Sequence, residues 1–106
     1  MSRLDQLNAF LNDSPNDPFV HYAIAQEYRK MRDLTLAHSK YIELVENYPN
    51  YVATYYHLGK LFEKLSSFDK ALHIYEKGIS VARHLHKQHE LRELQGVLNQ
   101  LKDELE

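Results

Sequence analysis

The sequence predicts an all-α fold, an α-solenoid of antiparallel helix pairs, on three observations. First, the chain repeats itself at a shift of 34 residues, so that Pro15-Asn16 returns as Pro49-Asn50. The same shift carries Tyr22 onto Tyr56, Lys30 onto Lys64, Ala37 onto Ala71 and Tyr41 onto Tyr75. It also carries Ile24 onto Leu58, Ala25 onto Gly59, Tyr28 onto Phe62 and Leu34 onto Phe68, keeping size and polarity where identity fails. Self-similarity at a period of about 20–50 residues is the mark of stacked supersecondary units. Second, apolar residues in each long segment fall three and four apart, the period of one helical face. Third, Gly and Pro number only three each and no proline follows Pro49. A β-rich chain of this length needs more turn punctuation, and long helices form after Pro49 without a forced break.

Six helices follow from start and stop signals. The first is expected over about residues 2–12, with Ser2 as N-cap, Leu4, Leu7, Phe10 and Leu11 as its buried side, and Asn12-Asp13-Ser14-Pro15 as its end. A first pair is expected over about 18–31 and 34–47, with Asp17 as N-cap and Pro18 at the first helical position. Pro49-Asn50 then separates it from a second pair over about 52–65 and 68–84. A final helix is expected over about 89–105, where Leu91, Leu94, Leu98, Leu101 and Leu105 form an amphipathic stripe. The spacer His84-Leu85-His86-Lys87-Gln88 is about two residues too long for a regular repeat, as if the helix before it overruns.

The repeated residues carry a family resemblance. Tyr55, Leu58, Gly59, Phe62, Ala71 and Tyr75 resemble the tetratricopeptide pattern of aromatic-x2-Leu-Gly-x2-Tyr followed by Ala-x3-Phe, at that family's period of 34. His21, Ile24, Ala25, Tyr28, Ala37, Tyr41 and Pro49 follow it less closely. The departures are His21 in place of the large aromatic and Arg83 in place of the closing proline. The resemblance implies one domain over 1–106: an N-terminal capping helix at 1–16, repeat 1 at 17–50, repeat 2 at 51–85 and a C-terminal capping helix at 86–106. Small residues at Ala25, Gly59, Ala37 and Ala71 let helices approach closely, while Tyr28, Tyr41, Tyr55 and Tyr75 fill the space beside them. Terminal helices cover the apolar side of the outermost repeats.

The resemblance also implies a concave groove lined by the first helix of each pair. Carried over by position, it contains Phe19, Tyr22, Gln26, Arg29 and Lys30, then Ala53, Tyr56, Lys60, Glu63 and Lys64. With Leu91, Leu94 and Leu98 on the packing face of the last helix, His89, Arg92, Gly96 and Asn99 turn to the same side. That strip sets five cations, Arg29, Lys30, Lys60, Lys64 and Arg92, against the single carboxylate of Glu63, in a chain of net charge −2. Some members grip a C-terminal carboxylate with a Lys and Asn clamp. Here Tyr22, Gln26 and His57 stand at the clamp positions, so a chaperone-tail clamp is not expected.

The chemistry of catalysis is sparse. With no cysteine there is no disulfide framework, thiolate zinc site or cysteine nucleophile. There is no Gly-rich phosphate loop, no Gly-x-Ser-x-Gly elbow and no carboxylate pair that stands out. His84, His86 and His89 form the one metal-like cluster, but residues two apart on a helix point away from each other. No acid or thiol in the run completes a zinc set, and a solvated histidine group at a helix C-terminus accounts for them better. His21 sits at a half-buried ring position, where packing explains it. The net charge gives no pull toward nucleic acid or membrane, and no apolar run resembles a signal peptide or a span. The expectation is a cytoplasmic, cofactor-free, non-enzymatic protein-interaction module. It takes a peptide or partner protein, acidic in character, in the groove, and is a monomer sooner than a homodimer. The rival is self-assembly through the N-terminal or C-terminal helix.

Overall fold

The computed structural model describes residues 2–106; Met1, the first residue of the expected 1–16 cap, lies outside them. Six α-helices follow in order: α1 Arg3–Asp13, α2 Pro18–Lys30, α3 Leu34–Asn47, α4 Ala53–Lys64, α5 Phe68–His84 and α6 Gln88–Leu105. No strand occurs among the described residues. The chain divides into two compact units, 1–48 and 49–106. In the first, α2 packs on α1 and α3; in the second, α5 packs on α4 and α6, and α6 also touches α4.

Side chains cap the starts of α1, α2 and α3. Ser2 Oγ accepts from Asp5 N at 3.1 Å, Asp17 Oδ1 from Phe19 N at 2.9 Å and Asp33 Oδ1 from Leu36 N at 3.1 Å. Each removes one of the orphan N–H groups of a helical first turn.

Three helix ends share one geometry. Arg32, Ser66 and His86 have φ of 63°, 58° and 58°, the left-handed region. After α2, Arg32 N donates to Arg29 O and Asp33 N to Tyr28 O; Ser66 and Ser67 repeat this after α4, and His86 and Lys87 after α5. This paired bonding is the Schellman motif, where glycine is the usual left-handed residue. Helix α5 is three residues longer than α3, which accounts for the long spacer before α6.

In unit 1, Leu7, Val20 and Ile24 form a buried cluster, with Leu4, Leu11, Ala23 and Tyr28 packed against it. Tyr41 and Leu44 are fully buried between α2 and α3. In unit 2, Tyr55, Leu58, Tyr75, Leu94 and Leu101 fill the interior. Ala25, Ala37 and Ala71 are 0% exposed and Gly59 is buried, as the close approach of helices requires. A Cβ built on Gly59 would lie 2.0 Å from Tyr75 Cε1, and one on Gly78 2.5 Å from Tyr55 Cβ, so Tyr55 and Tyr75 each lie against a glycine of the facing helix.

The two repeats make the same polar contact with different residues. His21 Nε2 donates to the Pro15 carbonyl at 2.7 Å, and Tyr55, 34 residues on, donates its hydroxyl to the Pro49 carbonyl at 2.5 Å. His21 is buried, with its ring 5.5 Å from that of Tyr48. A ring with a polar tip is what the position requires, and imidazole meets that requirement as phenol does.

Two apolar positions depart from expectation. Phe10 is 57% exposed instead of buried with Leu4, Leu7 and Leu11. At about 100° per residue it falls roughly 100° or more from Leu4 and Leu11, off the edge of the packed stripe. Leu105 is 47% exposed because it lies at the last residue of α6, while Val97 takes a buried place in the stripe.

Candidate functional site

Helix α2 carries the first group of groove positions. Phe19 is 59% exposed in its first turn, Tyr22 and Gln26 are half-buried, and Arg29 and Lys30 are exposed. Gln26 Oε1 accepts the Tyr41 hydroxyl and, at 3.4 Å, the Arg29 Nε–H. Burial pushes the Tyr41 phenol up to about 12, with the Arg29 cation opposing the rise and Tyr22 adding to it. Tyr22, Gln26 and Arg29 therefore gather around the tip of a core tyrosine. Gln26 is as much a support for Tyr41 as a surface group.

Helix α4 repeats the arrangement with one change. Ala53, Tyr56, Lys60 and Glu63 are half-buried and Lys64 is exposed. The Tyr75 hydroxyl donates to Glu63, one helical turn beyond the position that matches Gln26. The Tyr75 phenol is raised well above its ordinary value, first by burial, then by its bond to Glu63, the charge of Glu63 and Tyr56. Burial also raises the Tyr55 phenol. Lys60 Nζ stands 3.8 Å from Glu63 Oε2 and 6.0 Å from the centroid of the Tyr56 ring. The Tyr56 ring meets His57 edge-on at 5.2 Å.

Beside Tyr56, the crossing of α4 and α6 leaves an open cleft of about 350 Å³. Val52, Ala53, Leu94 and the Tyr56 ring form its walls, with His57, Glu90 and Glu93 at its polar side. Arg92 is exposed on α6 and does not line this cleft, and His89, Gly96 and Asn99 are exposed as well. His89 Nε2 stands 3.3 Å from Glu93 Oε1.

The expected strip counted Glu63 and omitted Glu90 and Glu93. In unit 2 the three cations Lys60, Lys64 and Arg92 therefore share their helices with three nearby carboxylates, Glu63, Glu90 and Glu93. The missed signal is the i, i+3, i+4 and i+7 spacing of Glu90, Glu93, Leu94 and Val97, which turns both carboxylates along the edge of the packed stripe. In unit 1, Arg29 and Lys30 form an exposed basic pair at the end of α2.

Among the described residues no three His, Cys, Asp or Glu side chains converge in a way that could hold an ion. His84 ends α5 and His86 turns through the left-handed region, so the backbone breaks between them. No helix among the described residues is long and apolar enough to cross a membrane.

Helix pairs of this build, with small residues under stacked tyrosines at a 34-residue period, define a helical repeat protein. A crystal structure of a tetratricopeptide repeat domain protein from Salinibacter ruber is 46% identical, with a TM-score of 0.79, over 82% of this chain and 97% of that one. A solution structure of a tetratricopeptide repeat domain protein from the same organism is also 46% identical, with a TM-score of 0.82, over 85% of this chain and 91% of that one. The TPR2B domain of yeast Sti1, in complex with pHsp70, shares the fold at 14% identity and a TM-score of 0.84, over 95% of this chain and 81% of that one. No family model matches the sequence, and no curated protein matches it. The chain belongs to the tetratricopeptide repeat family.

Proposed function

We propose that the chain is a protein-interaction module that binds a peptide or partner segment on the first helices of its pairs. The observation that carries this is a tyrosine at the same place in each repeat, Tyr22 and Tyr56, half-buried and off the packing positions. A tyrosine offers large contact area and few rotamers to freeze. In unit 1 the surface is Phe19, Tyr22, Gln26, Arg29 and Lys30; in unit 2 it is Ala53, Tyr56, Lys60, Glu63 and Lys64, with Arg92 on α6. The basic pair Arg29 and Lys30 favours an acidic stretch in the ligand, and charge of this kind speeds encounter more than it tightens binding. The family likeness, which includes a domain solved with pHsp70, supports the binding class.

In this proposal residues 17–50 and 51–85 are the repeats, and α1 and α6 cover their ends. The role assigned is binding without a reaction, in the cytoplasm. The test is a titration of the labelled protein with acidic-aromatic peptides, followed by backbone amide shifts. Perturbation within 19–30, 53–64 and 89–99 is expected, weakening as salt rises. Perturbation centred on 34–47 and 68–84 would place binding on the second helices and refute the assignment. Self-assembly is a second reading, favoured by exposed Phe10 on α1 and Leu105 on α6; light scattering that reports a dimer lost on Phe10→Ser or Leu105→Ser would establish it.

A further inference from the structure

We infer that the cleft between α4 and α6 receives an arginine side chain of the bound segment. This rests on the first helices being the binding surface, and it assigns the chemistry of one position within that surface.

The cleft offers three things to one side chain. Val52, Ala53 and Leu94 give an apolar wall along which an aliphatic stem can lie. Tyr56 also lines the cleft, and aromatic rings attract cations. The protein's own Lys60 stands 6.0 Å from that ring's centroid, a cation held near it from outside the cleft. Lys60 is also paired with Glu63 at 3.8 Å, which offsets its repulsion of a second cation. Glu90 and Glu93, one helical turn apart on α6, set two carboxylates at the cleft's polar side.

Glu93 meets His89 at 3.3 Å, an ion pair only when His89 is protonated. The volume of about 350 Å³ lies at the small end of ligand sites, room for a side chain sooner than for a whole cofactor. Arginine fits better than lysine because its planar fork can stack on the phenol while donating to two separate carboxylates. An acidic residue would meet Glu90 and Glu93 as like charges. The residue that enters the α4–α6 cleft is thus an arginine.

The experiment titrates the full chain with acetyl-Leu-Arg-Leu-amide and with the same peptide carrying Met or Glu in place of Arg. Amide shifts and affinity are read for the protein and for the Glu90→Gln/Glu93→Gln variant. The arginine peptide should perturb residues 52–57 and 90–94 at millimolar concentration and bind more tightly than the other two. The double variant should weaken it about five- to tenfold, the size of two exposed ion pairs. Binding of the methionine peptide should be unchanged, which shows that the variant is folded and its cleft intact. Equal binding of the arginine and methionine peptides, an unchanged arginine affinity in the variant, or no response in these segments each overturns the inference. Shifts on α4 without preference for arginine overturn it alone. Shifts confined to α5 away from α4 and α6 overturn the first-helix assignment with it.

Discussion

Replacing Gly59 by Ala tests how closely α4 and α5 approach. In an exposed helix the change gains about 1 kcal/mol, because glycine is the poorer helix former. At Gly59 the new methyl would lie 2.0, 2.5 and 2.6 Å from three ring carbons of Tyr75. Carbon atoms rest at about 3.5–4.0 Å, so the ring must retreat by roughly 1.5 Å. Tyr75 is fully buried and its hydroxyl is bonded to Glu63, so that movement strains a packed core and pulls on a part-buried hydrogen bond. Overpacking costs about 1–3 kcal/mol and a lost hydrogen bond about 1 more. Set against the helix-propensity gain, the net loss is about 1–3 kcal/mol, a fall in Tm of at least about 4 °C. Gly96 is the internal control, since a Cβ there meets nothing within 4 Å. Thermal unfolding followed by circular dichroism should show Gly96→Ala rising by a few degrees and Gly59→Ala falling. A Gly59→Ala protein that gains as much as Gly96→Ala would mean that the ring does not lie over the glycine, and the packing account of the second pair would be wrong.

Three further outcomes are expected. Arg32→Gly, Ser66→Gly and His86→Gly should each stabilise the protein by about 0.5–1 kcal/mol in urea unfolding, because each relieves a left-handed residue at a helix end. Thr54→Val should raise stability by about 1 kcal/mol, since the Thr54 hydroxyl is buried with no hydrogen-bond partner and the matching residue of the first repeat is Val20. Because the Tyr41, Tyr55 and Tyr75 phenols are raised in the folded state, the unfolded chain holds fewer protons above pH 10, the ordinary tyrosine value. Stability from these groups should be whole below pH 10 and fall as pH climbs through about 12, where Tyr41 ionises; absorbance titration should show late-ionising phenols, one fewer in Tyr75→Phe.

Helix ends and packing small residues were readable because they depend on neighbours close in sequence or on the repeat itself. Asp17 with Pro18, and Ala37 matched to Ala71, are of this kind. Phe10 misled because hydrophobicity says that a ring prefers burial but does not say which 100° of the helix finds a partner. The spacing of Glu90 and Glu93 sets them at the edge of the packed stripe, but what they face depends on where α6 crosses α4, a distance across the fold. The different targets of Tyr41 and Tyr75 were hidden for a related reason. Each hydroxyl chooses between two positions a turn apart on the facing helix, Gln26 or Arg29 in one pair and Lys60 or Glu63 in the other. Only a side chain able to accept the bond can hold it.

The left-handed turns at Arg32, Ser66 and His86 sort the chain's joints into two kinds. Joints with a left-handed residue link α2 to α3, α4 to α5 and α5 to α6; joints with Pro-Asn link α1 to α2 and α3 to α4. A regular array alternates the two, and here the alternation fails once, after α5. The chain therefore has an extension point and a stop. A 34-residue block inserted between Tyr48 and Pro49 keeps every joint in phase, so a three-repeat version should be obtained by duplicating residues 15–48 at that place. The same block added after Leu105 would bring its own Pro-Asn joint but would follow α6, a helix that entered through a left-handed joint out of turn.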